Sequence, residues 1–335
     1  MTSLLPGPLV DDTWLAAHLD DPRLVVLDAT ALLPSPREDG DYRSASGRGT
    51  WAERHLPGSR HADLTGDLSD RDAPYHFAVP SPEALAAALA RLGVGEGSEV
   101  VSYDSGGGIW AARLWWMLRA IGVPAAVLDG GLEAWETAGR PLASGDDTAP
   151  ATAAQAGPST AASAGPSGGP IGSVGSVDPI DASAAPAGAP GQVPAVRPVT
   201  PVVRPDLWAG IEDVAAISRG ERPGTLVCAL PAGGYDGSAP TRYSRRGHIP
   251  ASRSLPGRGL LDEAGRVLPP EELVAKVGAV LDTDDSPVVL YCGGGISAAG
   301  AALALTLLGR TDVSVYDGSL EEWSKDPTRP LELGN

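Results

Sequence analysis

The 335-residue sequence is poor in cysteine, with only Cys228 and Cys292. Two cysteines cannot form a disulfide framework, and neither lies in a CxxC pair or in a Cys/His cluster that could bind metal. No apolar run approaches the ~20 residues that a transmembrane helix needs. The N-terminal residues lack the basic and apolar regions of a signal peptide. We therefore expect a cytoplasmic protein with no membrane partner, no metal and no other cofactor.

Basic residues are also scarce. There are 25 Lys and Arg against 42 Asp and Glu, which gives a formal net charge of −17 at pH 7. This charge opposes binding to nucleic acid or to an anionic membrane, because both are negatively charged. Hydrophobic residues, in contrast, make up 42% of the sequence. The length and this composition are sufficient for two domains with sizeable cores.

Short apolar strands alternate with helices along most of the sequence, which predicts an α/β fold with mainly parallel sheets. In the first part of the chain, extended segments are predicted at residues 24–29, 62–64, 99–103 and 125–129. An amphipathic helix is predicted from Pro82 to Leu92, with Ser81 as its N-cap and Pro82 at its first position. Residues 31–53 are polar, and we expect them to be irregular.

The same order of elements occurs twice. A His-Leu-Pro-Gly-Ser turn at residues 55–59 corresponds to His-Ile-Pro-Ala-Ser at residues 248–252. Four further pairs share one offset of 188 residues: Tyr103 and Tyr291, Asp129 and Asp317, Leu132 and Leu320, and Trp135 and Trp323. A shared offset predicts a duplicated domain. We place the first domain at residues 1–142 and the second at residues 204–335.

Residues 143–203, between the two copies, are rich in Ala, Gly, Pro and Ser. A segment of this composition cannot bury enough apolar surface to fold by itself. We expect a partly disordered linker, with residues 192–203 extended along the surface. Deletion of residues 149–196 is therefore expected to leave activity nearly intact.

Cys292 lies at the end of a predicted strand, before three glycines and an Ala/Leu-rich helix that runs from Ser297 to about Leu308. A glycine-rich turn can point several backbone N–H groups at one centre beside the positive end of a helix. Such a centre favours a thiolate or another anionic sulfur. The pattern favours a reactive nucleophile, and a small buried core cysteine is the alternative.

The offset of 188 places Asp104 opposite Cys292. A carboxylate cannot act as a sulfur nucleophile, so we expect the first copy to be a scaffold that forms one wall of the site. We interpret Asp104 itself as the cap of its own helix.

Together these motifs resemble the tandem-domain rhodanese sulfurtransferases, which include thiosulfate and 3-mercaptopyruvate sulfurtransferases. The resemblance rests on the duplicated turns, on Asp-Gly-Gly-Leu-Glu-Ala-Trp at residues 129–135, on Asp-Gly-Ser-Leu-Glu-Glu-Trp at residues 317–323 and on Cys-Gly-Gly-Gly-Ile-Ser at residues 292–297. It covers both predicted domains and omits the linker. It implies two rhodanese-like domains of the α/β class, each a mainly parallel five-stranded sheet flanked by helices.

By this resemblance, Cys292 takes a sulfur atom from a donor, holds it as a persulfide and passes it to a thiophilic acceptor such as cyanide, a thiol or thioredoxin. The resemblance also implies a backbone cradle formed by Gly293, Gly294, Gly295, Ile296, Ser297 and Ala298. A monomer is the usual state in this family. A cysteine phosphatase is a poor alternative, because Ala298 stands where that chemistry needs an arginine.

The donor stays open between thiosulfate and 3-mercaptopyruvate. Gly293 and Gly294 are closer to the mercaptopyruvate type, although that type has a serine at the position of Gly294. His76 lies one place before the position of that serine's histidine partner. His76 and Asp63 are candidates to approach the cleft, and a plain surface histidine is the alternative for His76.

The arginines that bind the donor in this family are replaced here by Leu230 and Asp236. Arg242, Arg245 and Arg246 could supply a replacement cation, and a solvated basic turn is the alternative. A second function is therefore open: a degenerate member that carries or binds sulfane sulfur delivered by a partner protein. We expect Cys228 to be a buried strand residue rather than a redox partner.

Overall fold

Two five-stranded sheets, each parallel throughout, form the centre of the structure, a computed structural model that describes residues 3–145, 196–281 and 286–334. In the first sheet the spatial order is β1-β7-β6-β2-β5. Its strands are β1 (Leu9–Val10), β2 (Leu24–Asp28), β5 (Arg60–His61), β6 (Glu99–Tyr103) and β7 (Ala125–Leu128). A small antiparallel pair, β3 (Ala31–Leu32) and β4 (Ala45–Ser46), lies outside this sheet.

The second sheet has the order β8-β12-β11-β9-β10. Its strands are β8 (Trp208–Ala209), β9 (Thr225–Cys228), β10 (Arg253–Ser254), β11 (Val288–Tyr291) and β12 (Val313–Tyr316). Each strand stands at the place of its counterpart in the first sheet, and β12 follows β7 by the predicted 188 residues. The predicted duplication and fold class are confirmed.

Ten α-helices in the described ranges flank the two sheets. In the first domain they are α1 (Asp12–His18), α2 (Arg48–Glu53), α3 (Pro82–Arg91), α4 (Ile109–Ala120) and α5 (Gly131–Thr137). In the second they are α6 (Ile211–Ser218), α7 (Ala232–Tyr235), α8 (Pro270–Leu281), α9 (Ile296–Leu307) and α10 (Ser319–Trp323). Ser81 caps α3 by accepting the N–H of Ala84, and Pro82 is its first residue, as predicted.

The two domains meet along α4 and α9. Both helices are apolar on nearly every side, because each packs on its own sheet and on the other helix. One core cluster therefore includes Trp115 and Trp116 of α4 together with Ala298 and Ala302 of α9. Each of these helices directly follows a loop at the end of a central strand, so the interface brings both loops to the boundary between the domains.

The structure differs from the sequence prediction in two places. Residues 31–53 are not irregular throughout, because they contain β3, β4 and α2. The short edge strand β5 occupies Arg60–His61 rather than residues 62–64. These four elements, of two to six residues each, are too short to produce a periodic pattern.

The described part of the predicted linker lies against the first domain. Ala143 exchanges two backbone hydrogen bonds with His55, and Val202 donates its N–H to the carbonyl of Ile121 at 2.9 Å. Residues 196–203 form no helix or strand. The rest of the linker, including most of the segment proposed for deletion, lies outside the described residues, and the domain limits stay a prediction. No helix in the described ranges is long and apolar enough to cross a membrane.

Candidate active site

Cys292 directly follows β11 and begins the Cys292 loop, defined here as residues 292–295, which leads into α9. Its side chain is almost fully buried, with a relative exposure of 2% for the residue. Gly295 closes the loop at φ 75°, a left-handed conformation that favours glycine. A Cβ atom at Gly295 would also lie 2.9 Å from Nη1 of Arg113 and 3.1 Å from the carbonyl oxygen of Asp317, so the backbone favours glycine and the space for a side chain is small.

Several polar groups of this loop are bound by the first turn of α10, which follows β12. The N–H groups of Cys292 and Gly295 both donate to Oγ of Ser319 at 3.1 Å. The carbonyls of Cys292 and Gly293 accept the N–H groups of Leu320 and Glu321. These bonds hold the loop against the first turn of α10.

The N–H groups of Ile296, Ser297 and Ala298 have no acceptor among the described residues. They are the first amides of α9, which no preceding turn of helix can satisfy. The partial positive charge of a helix N-terminus lies at the same place. The start of α9, shortly after Cys292 in the chain, therefore offers N–H donors to an anion.

The corresponding loop of the first domain, the Asp104 loop at residues 104–108, shows what such amides bind. Asp104 Oδ1 accepts the N–H groups of Gly106 and Gly108, and Oδ2 accepts those of Trp110 and Ala111. The four distances are 2.7 to 2.9 Å. The prediction that Asp104 caps its own helix is confirmed, and its carboxylate fills the anion position of its own loop.

The first domain forms a wall of the site through Arg113, which projects from α4 and is fully buried. Its Nη2 donates to Asp317 Oδ1 at 2.5 Å and to the carbonyl of Phe77 at 2.8 Å. The guanidinium also lies over the ring of Trp208, 5.1 Å from its centroid. Nε and Nη1 have no hydrogen-bond partner in the described residues. A buried cation thus lies beside Gly295.

His76 and Glu321 connect the two domains next to Gly294. His76 Nδ1 lies 2.7 Å from Glu321 Oε1, and the His76 N–H donates to Oε2 at 3.3 Å. The ring of Tyr42 stacks on His76 with 3.8 Å between centroids. Burial, and then the nearby Glu321 carboxylate, raise the pKa of Tyr42 well above its usual value. His76 therefore reaches the edge of the Cys292 loop, held from two sides.

Known proteins are similar to this one over almost the whole chain. Residues 11–138 and 235–326 match the rhodanese-like domain. The chain belongs to the rhodanese family. The crystal structure of Escherichia coli SseA, described as a 3-mercaptopyruvate sulfotransferase, superposes with a TM-score of 0.69 at 26% identity, and the match covers 93% of this chain and 98% of SseA.

Two curated relatives extend this comparison. The mitochondrial thiosulfate/3-mercaptopyruvate sulfurtransferase 1 of Arabidopsis thaliana is 32% identical, over 97% of this chain and 78% of the relative. The human 3-mercaptopyruvate sulfurtransferase is 31% identical, over 94% of this chain and 91% of the relative. The similarity therefore spans both rhodanese domains.

Two of the arginines proposed from sequence have other partners in this rhodanese structure. Arg245 donates to the carbonyls of Ser324, Asp326 and Arg329. Arg246 pairs with Asp39 of the first domain at 2.9 Å. Both residues hold neighbouring chain segments together, and a role for either in donor binding stays a prediction.

Arg242 is placed differently. Its Nη2 donates to the carbonyls of Leu33 and Pro34, while its buried Nε has no partner within the described residues. It is close enough to Tyr42 and Tyr243 to act electrostatically on both phenols. The Tyr243 ring in turn lies 3.3 Å from the position of a Cβ on Gly293. Of the three arginines, Arg242 has the clearest connection to the Cys292 loop.

The remaining sequence candidates lie in their own domains. Asp63 accepts the N–H and the hydroxyl of Thr65. Leu230 packs beside the core, and Asp236 accepts the N–H of Ser238. Cys228 is fully buried at the end of β9, as predicted, and burial raises the pKa of its thiol to about 12.

Sequence reasoning missed Arg113, Glu321 and Ser319. Arg113 left a signal, because it is a single charge in the middle of the otherwise apolar first turns of α4. Ser319 left one too, because it replaces Gly131 at the repeat offset. Glu321 left none, since an exposed and an interdomain glutamate look alike in sequence.

Proposed function

We propose that the chain moves a sulfane sulfur from 3-mercaptopyruvate or thiosulfate to a thiophilic acceptor through a persulfide on Cys292. Sulfur transfer is the named activity of curated relatives that align with 94% and 97% of the chain. On that basis the chain is a sulfurtransferase. The nucleophile, the donor site and the acceptor are our assignments.

One observation carries the choice of nucleophile. Cys292 precedes three amides at the N-terminus of α9 that have no acceptor among the described residues, and two of the three equivalent amides of the first domain, those of Trp110 and Ala111, bind a carboxylate. The same donors favour the thiolate before reaction and the persulfide anion after it. Gly293, Gly294, Gly295, Ile296, Ser297 and Ala298 are the proposed cradle.

The reaction has two displacement steps. In the first, the Cys292 thiolate attacks the transferable sulfur of the donor, and a sulfur–sulfur bond forms. The donor's own bond to that sulfur breaks, and the electron pair leaves on sulfite or on the enolate of pyruvate, which then takes a proton. In the second step the acceptor thiolate or cyanide attacks the outer sulfur, and the Cys292 thiolate leaves.

Arg242 is the proposed cation for the donor's carboxylate or sulfonate, in the place of the arginines absent at Leu230 and Asp236. A guanidinium with an unused buried N–H is suited to such an anion. We expect Arg242→Ala to raise the donor KM about tenfold with a smaller change in kcat, because a ground-state contact is lost. Arg246→Ala is the matched control, since its guanidinium is paired with Asp39.

The test of the whole proposal is the intact mass of the protein after brief exposure to each donor. We expect one added sulfur atom on wild type and on Cys228→Ser, none on Cys292→Ser, and loss of that sulfur after addition of cyanide. The absence of any added sulfur, with small donors and with a persulfidated protein alike, would contradict the proposal.

A sulfur carrier is the second candidate, favoured by the leucine and aspartate at positions 230 and 236 and by the partners of Arg245 and Arg246. In that case a persulfidated partner protein loads Cys292 and neither small donor does. Thioredoxin as acceptor, a monomeric state and a cytoplasmic location stay predictions. Thioredoxin-dependent release of the loaded sulfur and the mass in solution test the first two.

A further inference from the structure

Ser319 has a backbone conformation that is unusual for its residue type. It is the first residue of α10, is fully buried, and has φ 48°. The left-handed region is unfavourable for a residue with a Cβ, and such residues persist where the surroundings require them. The equivalent residue of the first domain is Gly131, with φ 55°. The backbone at this position thus suits glycine, and the second domain has serine.

The hydroxyl of Ser319 accounts for this exception, because all of its hydrogen-bonding capacity is used. Oγ accepts the N–H groups of Cys292 and Gly295, both at 3.1 Å. It also donates its own hydrogen to the carbonyl of Tyr316 at 2.8 Å. A hydroxyl has one donor and two acceptor positions, so none is left over. The side chain thereby joins both ends of the Cys292 loop to β12.

In the first domain a different group accepts the N–H groups of the loop. There Gly108, which like Gly295 directly precedes its helix, donates its N–H to Asp104 Oδ1 at 2.9 Å. The anion that shapes the Asp104 loop is part of the protein and is always in place. The Cys292 loop contains no such carboxylate. It therefore needs another group to hold its shape before a sulfur is loaded.

We propose that Ser319 is a positioning residue that holds the Cys292 loop in its sulfur-binding form throughout the reaction. By accepting the N–H groups of Cys292 and Gly295, its hydroxyl leaves the amides of Ile296 to Ala298 as the donors that face the sulfur. This inference rests on the proposed function and adds a residue to it.

Loss of the hydroxyl has a defined consequence. Two buried N–H groups lose their acceptor, and the Tyr316 carbonyl loses a donor. Buried groups without partners are costly, so the loop is expected to turn these amides inward or to admit water. Either change disturbs the free amides that stabilise an anionic sulfur.

Two substitutions separate the hydroxyl from the backbone. Ser319→Gly removes the hydroxyl and gives the residue found in the first domain, so the fold is expected to tolerate it. Ser319→Ala removes the hydroxyl and keeps the Cβ in the left-handed region. Ser324→Ala is the control, because Ser324 is also buried at the end of α10 and its hydroxyl contacts Ser244.

We measure the rate of persulfide formation by intact mass and the pH profile of Cys292 alkylation by a small haloacetamide. For both Ser319 variants we expect loading to slow about tenfold to a hundredfold and the alkylation profile to move to higher pH. Ser324→Ala is expected to match wild type in both measurements. Ser319→Gly is expected to unfold at no lower temperature than Ser319→Ala.

The inference is overturned if Ser319→Gly loads sulfur at the wild-type rate and has the wild-type alkylation profile. An effect in Ser319→Ala alone would also overturn it, because that effect would reflect backbone strain. The alkylation profile needs no sulfur donor. If wild type fails to load, the proposed function fails, while the position of the Ser319→Gly profile still decides the role of the hydroxyl.

Discussion

The Asp104 loop and the Cys292 loop use one backbone device for two purposes. Each follows a central strand, ends in a glycine at positive φ (80° at Gly108 and 75° at Gly295) and starts a helix of 12 residues. In the first loop four amides bind the Asp104 carboxylate. In the second, the first three amides of the helix have no acceptor in the part of the chain that the structure describes, and a thiol precedes them in the loop. An internal anion stabilises one loop, and its replacement by cysteine opens the other to a sulfur anion.

The two loops also differ in the residues that the opposite domain places beside them. The fifth residue of α4 is Arg113, and the fifth residue of α9 is Gly300. By strand register, Trp208 beside Arg113 corresponds to Leu9. Gly300 and Leu9 line a cavity between the domains near the Asp104 loop. The first domain thus supplies a buried cation to the Cys292 loop, whereas the cation that the second domain places on the Asp104 loop is the exposed Arg258, which donates to the carbonyl of Gly106.

Cys292→Asp tests this comparison most severely. We expect complete loss of sulfur loading, because a carboxylate cannot form a persulfide. We also expect a thermal midpoint at or above that of wild type, since the new carboxylate meets free amides as Asp104 does. Intact mass and thermal unfolding measure the two effects. Cys292→Ser is the control, with the same loss of loading and no gain in stability. A clear drop in stability for Cys292→Asp would show that the two loops are not equivalent.

Arg113→Met is expected to have the next largest effect. It leaves the Asp317 carboxylate without its closest partner in a buried site, at a cost of about 3–5 kcal/mol in the free energy of unfolding. Urea unfolding measures this value. The same change combined with Asp317→Asn should recover part of the loss, because the unpaired charge is removed.

The first domain's counterpart pair gives the control for that experiment. Val79 of the first domain donates its N–H to Asp317 of the second. In the same way, Val267 of the second domain donates its N–H to Asp129 of the first. Within the described ranges, the cation paired with Asp129 is Arg266, whose Nη1 lies 4.0 Å from Oδ2 and whose side chain is 35% exposed. Arg266→Met should therefore cost less than about 1 kcal/mol. Similar costs for Arg113→Met and Arg266→Met would remove the proposed asymmetry.

Much of this comparison could be predicted from sequence, because its signals are local. The strand before each loop, the glycines and the helix after them are contiguous, and one offset aligns Asp104 with Cys292. The role of Asp104 as a helix cap followed from the same alignment. These predictions needed no knowledge of how the two domains pack.

The parts that depend on packing between the domains could not be predicted. Tyr42 belongs to a segment without helical or strand periodicity, and His76 is a candidate for the cleft only through the family resemblance. Nothing in the sequence shows that either residue meets Glu321 of the other domain. Arg245 and Arg246 had the right charge for a donor site, yet tertiary contacts give both of them other partners. Composition identifies a cation but does not show where its side chain lies.

Asp104→Asn should have a smaller effect, confined to the first domain. The amide has one acceptor oxygen and places N–H groups against two of the four backbone donors, which costs about 2 kcal/mol of stability. Sulfur loading at Cys292 should stay close to wild type, because Asp104 is not part of that site. Asp67→Asn, the same change on an exposed aspartate, is the control. Loss of loading in Asp104→Asn at full stability would mean that the two loops are coupled.

The smallest effect is expected at Cys228, where the comparison can be extended to a second pair of residues. By register, Cys228 beside Tyr291 corresponds to Asp28 beside Tyr103, so the second domain has a cysteine for each of two first-domain aspartates. Burial raises the pKa of the Cys228 thiol to about 12, above the value near 8.5 of an unfolded cysteine. The folded state therefore keeps this proton to higher pH, and stability should fall as pH rises from about 8.5 towards 12. Cys228→Ala should lessen that fall in stability. In a separate measurement, alkylation of the native protein at pH 8 should modify Cys292 alone. Modification of Cys228 under those conditions would mean that its side chain is not held in the core.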